Sequence, residues 1–460
     1  MASPSGLNLR GKVFTKQDGE EYEAHRCATF PTNVPPRYPD FIVLPEDVAD
    51  VVETVKYAAS TGNKMAVRGG GHSWTHASVR EGGILVSLSH WKHIEVVGST
   101  AWVDAGVTNM DLLDVIEKQG LGFPCGHCST VPMSGYLLNG GFGIGKWGPA
   151  CFSLLEVECV NAAGEHIIAS ECENQDLFWL ARGSGHGFPA IAVRFRIRLY
   201  PIPGAVSTAM HVFSLEDANS VFSWVRKVLS SGPDILELNL TIRRPKQTDK
   251  EAAVFMTANI YANSDEEADA AWLRLSTDLP ATPLETVACA RSSLRGLLTS
   301  IEHFYPTGNR YVGMMMFITD PDPRDLMERI TTAARAMPPG AHDSCILVVP
   351  MPETPTPPPP GPDTPLSVAF ETAVVGVYGA WQDAARDKEF DHWTMESSAT
   401  LETSATGYYI GEVDLARGQH LKRSSLCFAR PVWNRIRKLQ QALDPAGSFF
   451  SYLDWEGARL

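Results

Sequence analysis

Apolar residues in the N-terminal part of the chain come in short runs broken by glycine, proline and charged residues. Ile42-Val43-Leu44 is one such run and predicts a short strand. Beyond Pro45-Glu46-Asp47, positions Val48, Val51, Val52, Val55 and Ala58 recur at helical spacing and predict an amphipathic helix. Lys64-Met65-Ala66-Val67 predicts a buried strand that runs straight into a glycine-rich loop. Further strands are predicted over Ile84–Leu88 and Ala101–Gly106, and a helix over Asn109–Gln119 that Gly120 ends. Glu156–Asn161 and His166–Ala169 flank Ala163-Gly164 as a hairpin would, and Ile191–Tyr200 reads as a strand closed by Pro201.

Near residue 204 the elements lengthen. Strands are predicted over 206–213, 235–243 and 253–261, with helices over 216–230 and 265–277. After a stretch with no assigned element come a helix over 323–336 and strands near 345–350 and 367–377. That order suits an antiparallel sheet with helices on one face. The proline-rich run 350–365 predicts a loop with polyproline character. A helix over 378–389 and a last helix over Val432–Ala442 are expected to bring the chain back to the N-terminal unit. The expected class is α+β, with domains over 1–203 and 204–415 and a returning segment over 416–460. A chain of 460 residues is long enough for two such cores.

Composition narrows the function. A formal net charge of −14 argues against nucleic acid or an anionic membrane as the main partner and leaves a small-molecule substrate. No run approaches the ~20 apolar residues that span a bilayer. Residues 1–30 carry no apolar stretch suited to a signal peptide. The nine cysteines are odd in number and scattered, which fits reduced thiols and a cytoplasmic location.

Two segments set a reactive side chain among glycines. One is Arg68-Gly69-Gly70-Gly71-His72-Ser73-Trp74. The other is Gly126-His127-Cys128-Ser129-Thr130-Val131, running on to Gly135 and Asn139-Gly140-Gly141-Phe142-Gly143. Glycine lets backbone N–H groups approach a phosphate or a flat ring closely. Cys125 and Cys128 also form a CxxC, but no second ligand pair at zinc spacing accompanies it, and the surroundings are not those of a thioredoxin motif. No metal site is expected. The Arg182-Gly183-Ser184-Gly185-His186-Gly187 run lacks the lysine and spacing of a P-loop.

Together these segments resemble the flavin-binding domain of the vanillyl-alcohol-oxidase superfamily, and within it the berberine-bridge-enzyme-like oxidases. Arg37-Tyr38-Pro39-Asp40, Asp176-Leu177-Phe178-Trp179 and Leu443-Asp444-Pro445-Ala446-Gly447-Ser448-Phe449 resemble further family signatures, in the family's order. The resemblance implies a PCMH-type FAD-binding fold and FAD held bicovalently, by His72 at the 8α-methyl carbon and by Cys128, in the family's CxxV pattern, at carbon 6. It implies FAD contacts from Arg68, Gly69, Gly70, Gly71 and Ser73, from Val131, Gly135, Asn139, Gly140, Gly141 and Gly143, and from Ile191. Valine at 131 implies access for O2 beside the flavin, unless it is an ordinary core valine.

The implied reaction moves a hydride from an alcohol, an amine or an activated C–H to FAD, with O2 as acceptor and H2O2 as product. The family's catalytic "YxNYxD" stretch is altered here to Tyr408-Tyr409-Ile410-Gly411-Glu412-Val413-Asp414. Glu412 falls at the position of the second tyrosine and becomes a candidate base, or else a salt-bridged or a surface glutamate. His127 and Tyr409 are the other candidates, with a backbone-bonded histidine and a packing tyrosine as the readings favoured over them. Trp147, Trp381 and Trp393 are readable as pocket walls or as core. A dehydrogenase, a cyclase and a non-catalytic flavin-binding protein remain open readings.

Overall fold

The computed structural model describes residues 6–232, 234–246, 251–353, 363–366, 372–415, 420–452 and 454. Two sheets form the N-terminal part. The first has four strands in the order Lys12–Thr15, Phe41–Leu44, Ile84–Ser87, Met65–Arg68. Its last three strands are mutually parallel, and the helix Val48–Thr61 makes the crossover after Phe41–Leu44. Asp47 caps that helix by accepting from Asp50 N, and Gly62 ends it at φ 71°, a left-handed conformation that glycine takes without strain. The second sheet is antiparallel, in the order Ile94–Val97, Thr100–Asp104, Ala190–Arg198, Leu154–Asn161, His166–Ser170. The predicted hairpin is its edge.

Residues 205–408 supply an eight-stranded antiparallel sheet. Its order is Glu285–Ser292, Ala205–Ser214, Ala253–Ala262, Leu236–Arg243, Cys345–Pro350, Ala373–Trp381, Arg310–Ile318, Ala405–Tyr408. Helices Ala218–Ser231, Pro323–Arg335 and Asp387–Leu401 pack together on one face. The other face is turned towards the N-terminal part, so strand residues that would meet solvent in a free-standing sheet wall a cavity instead.

The chain's last described segment closes on the first sheet. Asp444 accepts from Ser448 N at 2.8 Å and Phe449 N at 3.0 Å, which turns the chain after helix Arg430–Leu443. Met65 N then donates to Ser448 O and Phe450 N to Met65 O, so the C-terminal segment pairs with the strand that delivers the glycine loop.

Some predicted elements are displaced. The helix expected over 378–389 is not there: Ala373–Trp381 is a strand, and the helix starts at Asp387. All nine residues of that strand are buried, so no polar–apolar alternation marks it in the sequence. The helix Asp387–Leu401 packs on this strand and on Pro323–Arg335, so it belongs to the large sheet. Strand Glu285–Ser292 is an exposed edge and lacks an apolar pattern, while helix Leu294–Ile301 and strand Arg310–Ile318 complete the unassigned middle. Much of the proline-rich loop, 354–362, and residues 367–371 of a predicted strand lie outside the described residues.

Candidate functional site

Strand Met65–Arg68 ends in a loop that leaves no room for side chains. A Cβ on Gly69 would sit 1.8 Å from Ser134 Oγ, and one on Gly70 would sit 3.0 Å from the Pro132 ring. Arg68 is fully buried and donates to the carbonyl oxygens of His25 and Arg26, at the end of helix Glu20–Arg26. It anchors the strand while also bordering the cavity. Ser73 Oγ accepts from Ala77 N at 3.3 Å, which shapes the loop beyond. His72 is thereby presented to the cavity, with its ring stacked on Phe30 at 4.1 Å. Burial lowers its pKa to about 4, so the imidazole is neutral at physiological pH.

The second loop is held by the N-terminus of helix Asn109–Ile116. Asn109 Nδ2 donates to Gly126 O at 3.2 Å and to Cys128 O at 2.9 Å, Asn109 N donates to Val131 O, and Met110 N to Ser129 O. Asn109 is a site residue that the motifs do not mark. The two cysteines separate: Cys125 is buried in the core, and Cys128 faces the cavity with Sγ 3.4 Å from His72 Nε2. Thr130 Oγ1 lies 3.1 Å from that nitrogen and 3.4 Å from the sulfur. Burial raises the Cys128 pKa, although hydrogen bonds with Thr130 oppose it.

Both loops border one cavity of about 600 Å³. Its far wall is the inner face of the large sheet. Strand Leu236–Arg243 alternates Glu237, Asn239 and Thr241 towards the cavity with Leu238, Leu240 and Ile242 towards the helices. His127 Nε2 lies 2.6 Å from Glu237 Oε1, so its partner is this carboxylate and not the backbone oxygen expected from the sequence. Tyr261 Oη donates to Glu237 Oε2 at 2.6 Å and Asn239 Nδ2 to Oε1 at 3.1 Å. Burial opposes a charge on His127, but the charge and hydrogen bond of Glu237, helped by Glu412, outweigh it and raise its pKa. Burial likewise works against the Glu237 anion, and His127, Tyr261 and Asn239 together lower its pKa.

Glu412 sits in the turn after strand Ala405–Tyr408, where its N–H donates to Tyr409 O. Tyr378 Oη donates to its Oε2 at 2.5 Å, and the Tyr378 ring lies 5.3 Å from Trp74. Burial raises the Glu412 pKa, with Tyr378, the charge of His127 and a hydrogen bond from Trp74 pulling it part of the way back. It is therefore a half-buried cavity carboxyl and not a surface ion-pair residue.

Gly135, Asn139, Gly143, Val131 and Tyr409 also border the cavity, with Tyr409 packed on Phe142 at 5.0 Å between ring centres. Three expected contacts do not reach it. Gly140 and Gly141 make a turn behind the wall, at φ 101° and 72°, and Ile191 is buried in the core while Ala190 and Ala192 reach the lining. Strand alternation puts Ile191 on the wrong face. Of the tryptophans, Trp74 lines the cavity; Trp381 bonds Asp387, Trp393 bonds Ala333 O, and Trp147 stacks on Tyr200.

The residues fit a bound FAD. The glycine loop brings bare backbone to the cavity, and three lining side chains, Ser134, Asn139 and His186, hold buried polar atoms (Oγ, Oδ1 and Nδ1) with no hydrogen-bond partner among the described residues. Such a fold and cavity define a flavin-dependent oxidoreductase. Residues 39–170 match the FAD binding domain family. The chain is 29% identical to the FAD-linked oxidoreductase janO of Penicillium janthinellum, over 92% of this chain and 93% of that protein. It superposes on 6-hydroxy-D-nicotine oxidase from Arthrobacter nicotinovorans with a TM-score of 0.83, at 20% identity, covering 98% of this chain and 99% of that one. For BBE-like 1 of Physcomitrella patens the TM-score is 0.81 at 18% identity, covering 96% of each chain. The chain thus carries an FAD-binding domain, is similar over nearly its whole length to an FAD-linked oxidoreductase, and has the PCMH-type fold of these two solved structures. Among the described residues no helix is long and apolar enough to cross a membrane.

Proposed function

We propose that this protein is an oxidase of a small organic substrate (an alcohol, an amine or an activated C–H) with FAD held through both His72 and Cys128, O2 as acceptor and H2O2 as product. The observation that carries this reading is the convergence of two nucleophiles, 3.4 Å apart, in the same cavity as a half-buried carboxyl of raised pKa. Bound FAD would supply the hydride acceptor and the link to O2.

The chain's own residues do the rest. The neutral imidazole of His72 and the thiol of Cys128 hold the cofactor from one wall. The glycine loop, Ser134, Asn139 and His186 meet its polar parts. Glu412 accepts the substrate proton at its carboxylate, with Tyr378 Oη orienting Oε2. Tyr409 packs the wall, and His127 is tied to Glu237, whose charge raises its pKa. Leu347, Val349, Met351 and Val374 add an apolar stretch to the cavity wall, which favours a bulky, largely apolar substrate such as a secondary metabolite.

The test is the intact mass and absorbance spectrum of the purified protein, before and after acid denaturation, followed by anaerobic mixing with candidate substrates. Flavin that stays with the denatured chain and bleaches with substrate supports the reading. Turnover without bleaching would assign the protein to the cyclases.

A further inference from the structure

Glu237 has no place in the chemistry assigned so far, yet it is the best-satisfied acid in the cavity. Its carboxylate takes hydrogen bonds from Tyr261 at 2.6 Å and Asn239 at 3.1 Å and meets His127 at 2.6 Å. A carboxylate so saturated is a poor proton acceptor and a good fixed anion. It also bridges two parts of the molecule, since Glu237 stands on the large sheet and His127 on the loop that carries Cys128.

We propose that Glu237 is a positioning residue for Glu412: it holds His127 as a cation, and that cation keeps Glu412 a carboxylate able to take the substrate proton. This rests on Glu412 being the base. Glu237, His127 and Glu412 line the same cavity, and Glu237 is bonded to His127 at 2.6 Å. His127 feels both carboxylates, and each of them feels His127. The other titratable groups facing this set are the thiol of Cys128, the neutral His72 beside it, and the phenols of Tyr136, Tyr261, Tyr305, Tyr378 and Tyr409. Glu302 acts on Cys128. The charges that act on His127 are therefore both carboxylates, and Glu237 is the one bonded to it. Without Glu237, burial is left to dominate and His127 loses its proton. Glu412 then loses the positive charge that offsets its own burial, and is protonated at a higher pH.

Glu237→Gln keeps the shape and still accepts from Tyr261. In the flavin-loaded enzyme, the acid limb of the flavin-reduction rate against pH should move up by about one unit or more, the usual effect of a lost opposite charge. The His127 ring titration, followed by histidine-selective NMR and assigned with His127→Gln, should fall by a similar amount. His127→Gln should move the limb as Glu237→Gln does, with no further shift in the double variant. It also carries the test if Glu237→Gln does not retain flavin. An unmoved limb, with only a lower melting temperature or flavin content, would reduce Glu237 to a structural tie and overturn the proposal. So would a wild-type His127 that titrates below the ordinary histidine range. An acid limb that survives in Glu412→Gln would sink the assignment of the base. That failure is distinguishable, because the His127 titration does not depend on turnover.

Discussion

His72 Nε2 and Cys128 Sγ lie 3.4 Å apart although 56 positions separate them in the chain. Neither loop could bring this about alone. Strand Met65–Arg68 aims one, the N-terminus of helix Asn109–Ile116 holds the other, and Thr130 lies within hydrogen-bonding distance of both reactive atoms.

Two attachment points should therefore be separable. Acid precipitation of the wild-type protein should leave the yellow colour in the pellet. His72→Ala and Cys128→Ala should each keep one link, read as a flavin-bearing peptide by mass, and the double variant should release all its flavin. Complete release from wild-type protein would end the bicovalent reading.

Val131 borders the cavity beside Cys128. If it leaves a path for O2, reduced enzyme mixed with aerated buffer should reoxidise much faster than free reduced flavin, and Val131→Leu should slow that step without changing the spectrum of the oxidised protein. Reoxidation no faster than free flavin would point to a dehydrogenase.

Glu412→Gln should retain flavin and lower the rate of the reductive half-reaction by roughly 10²–10⁴-fold, the scale of a lost general base. Wild-type reduction should slow as pH falls through the raised pKa of Glu412, since only the carboxylate accepts a proton. The sign for stability is opposite. A carboxyl whose folded pKa lies above its unfolded value is favourable to the fold when protonated and costs stability once ionised. The variant should therefore melt higher than wild type at alkaline pH, and a lower melting temperature there would contradict a raised pKa.

Gly69 has no space for a methyl group, because Ser134 Oγ would lie 1.8 Å away. Gly69→Ala should cost at least about 1–3 kcal/mol through overpacking, visible as a lower melting temperature and reduced flavin content. A second change, Ser134→Gly, should recover part of the loss. Full stability and full flavin in the single variant would show that the loop is not packed as described.

Much of the fold was legible because its signals are local. The helix Val48–Thr61 follows from five apolar residues at helical spacing and an aspartate cap, and the hairpin of the second sheet from a glycine turn. Strand Ala373–Trp381 was not legible, since burial on both faces erases alternation, and edge strand Glu285–Ser292 was not, since exposure removes the apolar pattern. One signal for the missed wall was present: the alternation of Glu237, Asn239 and Thr241 with leucine and isoleucine marks a polar face.

What the sequence determined by itself is the chemistry of the two loops. Glycines adjoining His72, Cys128 in CxxV and an acid at 412 are facts of covalent order, and steric freedom and nucleophilicity travel with the residue types. Only the tertiary structure decided which groups act on one another. It separated Cys125 from Cys128, turned Ile191 into the core, and set Glu237 against His127 across 110 positions. Whether a buried acid or histidine carries charge depends on burial and on partners within a few ångströms. Those distances are set by how the large sheet closes over the loops, and no local pattern in the chain encodes them.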